Sequence, residues 1–152
     1  MKINSNLLFL TAVTLCSALF DITAAEKHDH KHLATPKGGR LLEKTEPHAE
    51  FVLEKDHTAT INFYTHDMKP VSAGDQMVTL IADAKNGKQT IPFEKKGDSL
   101  VSKTKLPEGD GYNVVVQFKH KADARPQNFR FKLDTHICSE CKRAEYGCVC
   151  GH

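Results

Sequence analysis

Between residues 49 and 133 apolar and polar side chains alternate in short runs, each broken by turn residues before it reaches helical length. A period of two is the pattern of a strand with one buried face, and it leaves no amphipathic helix to build a core from. Ala49, Phe51 and Leu53 share one parity; Glu54-Lys55-Asp56-His57 makes a turn, and Ala59, Ile61 and Phe63 alternate on the way back. Residues 76–82 are apolar on both parities and read as a central strand. Asn86-Gly87 is a strong hairpin signal leading into residues 88–95. Gly97-Asp98 turns the chain into residues 99–104. Tyr112, Val114, Val116 and Phe118 form one face, with Val115 on the other, and Phe129, Phe131 and Leu133 end the series. Seven or eight short strands at this spacing predict an all-β, immunoglobulin-like β-sandwich over residues 38–134. Phe51, Ile61, Phe63, Leu80, Val114, Val116, Phe118 and Phe131 are its expected core, each contributing about 1.5–3 kcal/mol when buried. A body of this size buries a core without covalent staples.

The two ends read differently. Lys2 is followed by an apolar run over residues 7–20, too short for a bilayer span of about 20 residues but suited to a signal peptide. Thr23-Ala24-Ala25 supplies small residues for cleavage before Glu26, so residues 1–25 are expected to be removed on export. The short signal fits a periplasmic protein with no membrane span after processing, in a compartment that permits disulfides. Lipidation at Cys16 is the competing reading, disfavoured because Leu15 is bulky where a small residue is expected. Residues 26–37 carry one large apolar side chain and read as a flexible, disordered His-rich leader. With 21 basic and 19 acidic residues the formal charge is +2, which gives a nucleic-acid partner no electrostatic support.

Four of the five cysteines fall after the last expected strand, in a tail over residues 135–152. Cys138-x-x-Cys141 can wrap two sulfurs around one ion, and Cys148-x-Cys150 puts two more on one side of an extended segment. His136 and His152 are further nitrogen donors. Thiolate sulfur is soft and selects Zn²⁺, Cd²⁺ or Cu⁺ over Mg²⁺ or Ca²⁺. The six-residue gap is short for a zinc ribbon, and the Cys-x-Cys pair resembles metallothionein-like clusters. Two alternatives stay open: two disulfides in any of three connectivities, or a redox pair at Cys138 and Cys141. The redox pair lacks the βαβ scaffold such pairs usually occupy.

Cleavage before Glu26 would leave Glu26-Lys27-His28 at the amino terminus. A free amine, two backbone amides and a third-position imidazole suit square-planar Cu²⁺ or Ni²⁺. His30 and His32 alternate behind that motif and are placed to take a second ion or pass one on. Within the body, His48, His57, His66 and His120 sit at turns or strand ends, where a lone histidine is usually just solvated. His66-Asp67-Met68 offers a possible site rim. Only Met68 and Met77 follow the initiator, so a Met-rich Cu⁺ site has no support.

Leu106-Pro107-Glu108-Gly109-Asp110-Gly111-Tyr112, running on to Val116, and the segment from Arg125 to Phe131 resemble the last two strands of small exported immunoglobulin-like domains. Those domains include the copper-resistance periplasmic carriers of the CopC type and YtkA-like domains. Gly38-Gly39-Arg40-Leu41-Leu42 and the Cys-rich end are similar to accessory proteins of heavy-metal efflux pumps. The resemblance covers residues 38–133 and implies a metal-handling role. CopC-type carriers place a histidine between their last strands where this chain has Ala124-Arg125-Pro126, so their copper site does not carry over.

These observations predict a non-enzymatic exported protein that buffers Cu- or Zn-type ions or hands them to envelope efflux components. No nucleophile–base pair, phosphate-cradling glycine loop or paired-carboxylate motif is legible. The rival readings are a protein-interaction sandwich with two structural disulfides, or a thiol–disulfide oxidoreductase.

Overall fold

The computed structural model describes residues 33–150 of the 152. The described chain is all β apart from one short 3₁₀ turn, with nine strands: β1 (Arg40–Leu42), β2 (His48–Leu53), β3 (Ala59–Tyr64), β4 (Pro70–Val71), β5 (Met77–Ala84), β6 (Gly87–Lys96), β7 (Ser99–Ser102), β8 (Tyr112–Lys119) and β9 (Gln127–Leu133). All pairings are antiparallel, in the order β1-β2-β3-β7-β6-β5-β8-β9, with β4 on β3.

One strand joins the two layers. Residues 87–92 of β6 pair with β5, and residues 93–96 pair with β7. Pro92 stands at the changeover, where a residue without an N–H interrupts a ladder at least cost. The layers are thus β2-β3-β7-β6 against β5-β8-β9. That is the Greek-key arrangement of an immunoglobulin-like sandwich, ABED on one sheet and CFG on the other. β1 extends the first layer. The sandwich expected from the alternation is the one observed, with the short β1 and β4 added.

The core follows from parity. Phe51, Ile61, Leu80, Val116 and Phe118 are 0% exposed, and Phe63 and Val114 are 1% exposed. Phe131 is only partly buried and takes Arg40 over its ring at 5.0 Å. β5 is a central strand as expected, paired with β6 on one side and β8 on the other, but only one of its faces is buried: Val78, Leu80 and Ala82 face inward, whereas Met77 is 52% exposed and Ile81 half-buried. The outer face of an antiparallel sheet needs no cover, so apolar residues there do not mark a doubly buried strand.

The expected boundaries shift at both ends of the domain. Thr35, assigned to the leader, is 2% exposed, and its hydroxyl donates to the Gly39 carbonyl at 2.7 Å. The Glu50 carboxylate, 0% exposed, accepts the backbone N–H of Lys37 at 3.1 Å and of Gly39 at 2.7 Å. It also accepts the Tyr64 hydroxyl at 2.7 Å. Burial first, and then this bond to the carboxylate, push the Tyr64 phenol well above its usual range. At Gly39 a Cβ would collide with the Phe51 carbonyl, so only glycine lets this turn lie on β2. Residues 35–39 are therefore fastened to the sandwich, not part of a free leader. The tail is equally part of the fold: Tyr146 is 7% exposed and packs edge-on against Phe51.

Candidate metal centre

After β9 the chain folds back on itself. The Asp134 carbonyl accepts the Tyr146 N–H at 2.9 Å, and the His136 carbonyl accepts the Glu145 N–H at 2.8 Å. Ile137 and Ala144 form an antiparallel bridge. At the tip, the Cys138 N–H donates to the Arg143 carbonyl at 2.8 Å, and the Cys138 carbonyl accepts the Lys142 N–H at 3.1 Å. Lys142 closes the turn in the left-handed region, φ 59°. A tight turn of this kind brings the sulfurs of Cys138 and Cys141 to one side.

The other two sulfurs arrive through a 3₁₀ turn, Glu145–Gly147. Tyr146 anchors it by inserting between the sheets, while its hydroxyl accepts the Leu53 N–H at 3.1 Å. Gly147 lies so close to the Gly38–Gly39 backbone that a Cβ would sit 2.7 Å from the Gly38 carbonyl oxygen. From this fixed point Cys148 and Cys150 turn back toward the tip.

The result is a sulfur quartet. The four Sγ atoms lie within 4.8 Å of one another. Cys141 Sγ is 3.6 Å from Cys148 Sγ, and Cys138 Sγ is 4.0 Å from Cys150 Sγ. A tetrahedral ion with metal–sulfur bonds of about 2.3 Å needs sulfurs about 3.8 Å apart. A disulfide needs about 2.05 Å. The quartet has the first spacing, and no disulfide joins its four cysteines. It is therefore compatible with a transition-metal ion held by sulfur. Cys138 is 2% exposed and the others half-buried, so the site opens to solvent on one side.

Electrostatics within the quartet are graded. Backbone N–H groups of Val149 and Arg143 point at Cys141 Sγ and hold its thiol down at about 6. Burial pushes Cys148 and Cys150 above the ordinary thiol range. The Cys150 N–H approaches Cys148 Sγ at 3.4 Å, adding one more donor to the sulfur shell. Such donors favour thiolate over thiol, the state metal binding requires.

His136 is not in this cluster. Its Nδ1 lies 2.8 Å from Asp134 Oδ1 and 2.9 Å from Asp110 Oδ2. The Asp110 carboxylate also accepts the Thr135 N–H at 2.6 Å and hydroxyl at 2.8 Å. The carboxylates draw the imidazole away from the sulfurs and raise its pKa, Asp134 through a hydrogen bond and Asp110 through its charge. His152, Glu26, His28, His30 and His32 lie outside the described residues, as do the signal segment and Cys16. Among the body histidines, His48 and His66 come together with ring centroids 5.7 Å apart, and His120 packs edge-on to Phe118 at 5.1 Å.

Sequence reasoning missed Tyr146, Gly147 and Arg143, the residues that dock the cysteine loop. One signal was available: a lone aromatic between two cysteine pairs is an anchor for a loop that otherwise has no core contact. Compared with protein-family models, curated proteins and solved structures, this chain matches none.

Proposed function

We propose that this is an exported, non-enzymatic metal-handling protein whose Cys138, Cys141, Cys148 and Cys150 thiolates hold one soft ion, Zn²⁺, Cd²⁺ or Cu⁺. Its role is to buffer that ion or hand it to an envelope efflux component. The observation that carries this reading is the quartet itself: four sulfurs within 4.8 Å, at the separations a tetrahedral ion sets. They are held there by backbone hydrogen bonds and by a buried tyrosine, with no disulfide among them. One open side suits a carrier, since an ion that is to leave again must be reachable by a competing ligand. The resemblance to CopC-type and YtkA-like domains points the same way. The amino-terminal Glu26-Lys27-His28 motif, with His30 and His32, would add a separate Cu²⁺ or Ni²⁺ site.

The test is a paired count on protein isolated anaerobically without chelators. Elemental mass spectrometry should give about one soft metal per chain, with four thiols titratable only after the metal is removed. The Cys141→Ser variant should lose most of that metal. Neither metal nor free thiols would refute the reading. The short separations then name the disulfides as Cys141–Cys148 and Cys138–Cys150, and the protein-interaction reading would replace this one.

A further inference from the structure

Two body histidines that stand apart from the thiols, His48 and His66, are brought together by the fold. His48 opens β2 and pairs in register with Tyr64, the last residue of β3. His66 lies two positions beyond Tyr64. Diagonal neighbours across an antiparallel pair are within reach of long and aromatic side chains. Here the two rings meet with centroids 5.7 Å apart and planes tilted by 43°.

Both rings are held from behind. His48 is half-buried, and its Nδ1 lies 3.2 Å from the Thr45 carbonyl oxygen. A carbonyl only accepts, so Nδ1 carries the proton of that bond and Nε2 keeps its lone pair, the orientation that metal-ligating histidines use. Thr45 is itself fully buried and fixed: its hydroxyl donates to the Leu42 carbonyl at 3.0 Å and accepts the Ala49 N–H at 2.9 Å. His66 is exposed and rides on a closed turn. There the Thr65 N–H donates to the Lys69 carbonyl at 2.8 Å, and the Met68 N–H to the Thr65 carbonyl at 2.9 Å. With metal–nitrogen bonds of about 2.0–2.1 Å, two imidazoles on one tetrahedral ion have centroids about 5.2 Å apart. The observed spacing is close to that, and a small rotation of the exposed His66 ring closes the difference.

We propose that His48 and His66 form a second metal site, a two-nitrogen chelate for a borderline divalent ion, Zn²⁺ or Cu²⁺, with water in the remaining positions. Imidazole suits these ions. The pair binds more tightly than either ring alone, because once one nitrogen is bound the other acts at a high effective concentration. The cysteine loop docks at the far end of the same strand, where the Tyr146 hydroxyl meets the Leu53 N–H and Arg143 donates to the Thr35 carbonyl at 3.2 Å. Leu53 is about 17 Å along β2 from His48, so the two sites share no ligand. The histidine pair therefore takes its ion whatever the cysteines hold.

The experiment titrates Zn²⁺ into the reduced full chain at constant neutral pH, beyond the amount taken by tighter ligands. Each imidazole is followed by two-dimensional NMR, with ring signals assigned from the variants. His57, an exposed turn histidine, is the internal reference. The His48 and His66 rings should shift together, at a Zn²⁺ concentration about tenfold or more below the one that shifts His57. In His48→Ala the His66 ring should respond only where His57 does, and in His66→Ala the same should hold for the His48 ring. Parental His48 and His66 rings that respond no earlier than His57 would overturn the site. So would a ring that keeps its early response after its partner is removed, since the ion then has a different ligand. Neither result touches the four-sulfur reading.

Discussion

Gly147→Ala tests whether the cysteine loop is seated on the sandwich or merely trails from it. The added methyl would lie 2.7 Å from the Gly38 carbonyl oxygen and 2.9 and 3.0 Å from the Gly39 carbon and oxygen. Those atoms cannot recede, because Gly39 is bound through its N–H to Glu50 at 2.7 Å and rests on β2. The loop must lift instead. Overpacking of this kind costs about 1–3 kcal/mol. Lifting also loosens Tyr146 from Phe51 and weakens its bonds to Leu53 and Asp134, and complete loss of a buried aromatic costs about 3–5 kcal/mol. Partial loss of both kinds gives about 2–4 kcal/mol, or a Tm lowered by about 10 °C in a domain of this length. The assay is thermal unfolding of reduced, metal-free protein, followed by circular dichroism. Gly74→Ala is the control, since its methyl would meet only the flexible Gln76 side chain at 3.4 Å. A Gly147→Ala midpoint as close to the parent's as that of Gly74→Ala would refute the docked-loop argument.

Glu50→Ala leaves the N–H groups of Lys37 and Gly39 and the Tyr64 hydroxyl without their buried acceptor, and should cost about 3–5 kcal/mol by urea titration. Glu50→Gln, which keeps one acceptor oxygen, should cost less. In metal-free protein, Cys141 should be the first thiol alkylated at neutral pH, ahead of Cys148 and Cys150, as read by peptide mass spectrometry. Its folded-state value of about 6 lies below the ordinary 9.0. The stabilisation from this thiolate is therefore complete above the ordinary value and lost as pH falls through about 6. His136 has the opposite sign: its pKa is raised, so its contribution is complete below the ordinary 6.5 and lost as pH rises through the elevated value. Thermal midpoints of His136→Ala and parent should converge at alkaline pH.

The strands were legible because alternation reports directly on a one-sided sheet, and Phe51, Ile61 and Phe63, which it assigns to the core, are buried. Glu50 shows where that reasoning stops. It occupies the polar parity of β2, yet it is 0% exposed, because residues 35–39 cover the face that parity assigns to solvent. Parity tells which face a side chain takes but not what else lies on that face. β1 escaped notice for a different reason, since three residues are too few to show a period. The sulfur site was legible because its donors are close in sequence and loop closure over so short a span is nearly local. That His136 sits with Asp134 and Asp110, apart from the sulfurs, was not legible, because Asp110 lies on the distant loop between β7 and β8 and no local spacing reveals that contact.

The way the loop is held decides what metal removal can do. A small zinc module folds around its ion, so a chelator unfolds it. Here Phe51, Ile61, Leu80, Val116 and Phe118 are buried without any help from the cysteines. The turn at Cys138 is closed by backbone bonds to Lys142 and Arg143, and Tyr146 seats the segment that carries Cys148. An ion bound a thousandfold above its dissociation constant adds about 4 kcal/mol, enough to raise a melting temperature but not to create this fold. Chelation should therefore lower the Tm and leave the strands paired. The same rigidity favours binding: a free peptide must lose about 1–2 kcal/mol of backbone entropy for every residue it orders around the ion, whereas this loop is ordered beforehand. A carrier gains from that arrangement, because the ion can be taken up and given away while the surface presented to a partner stays the same.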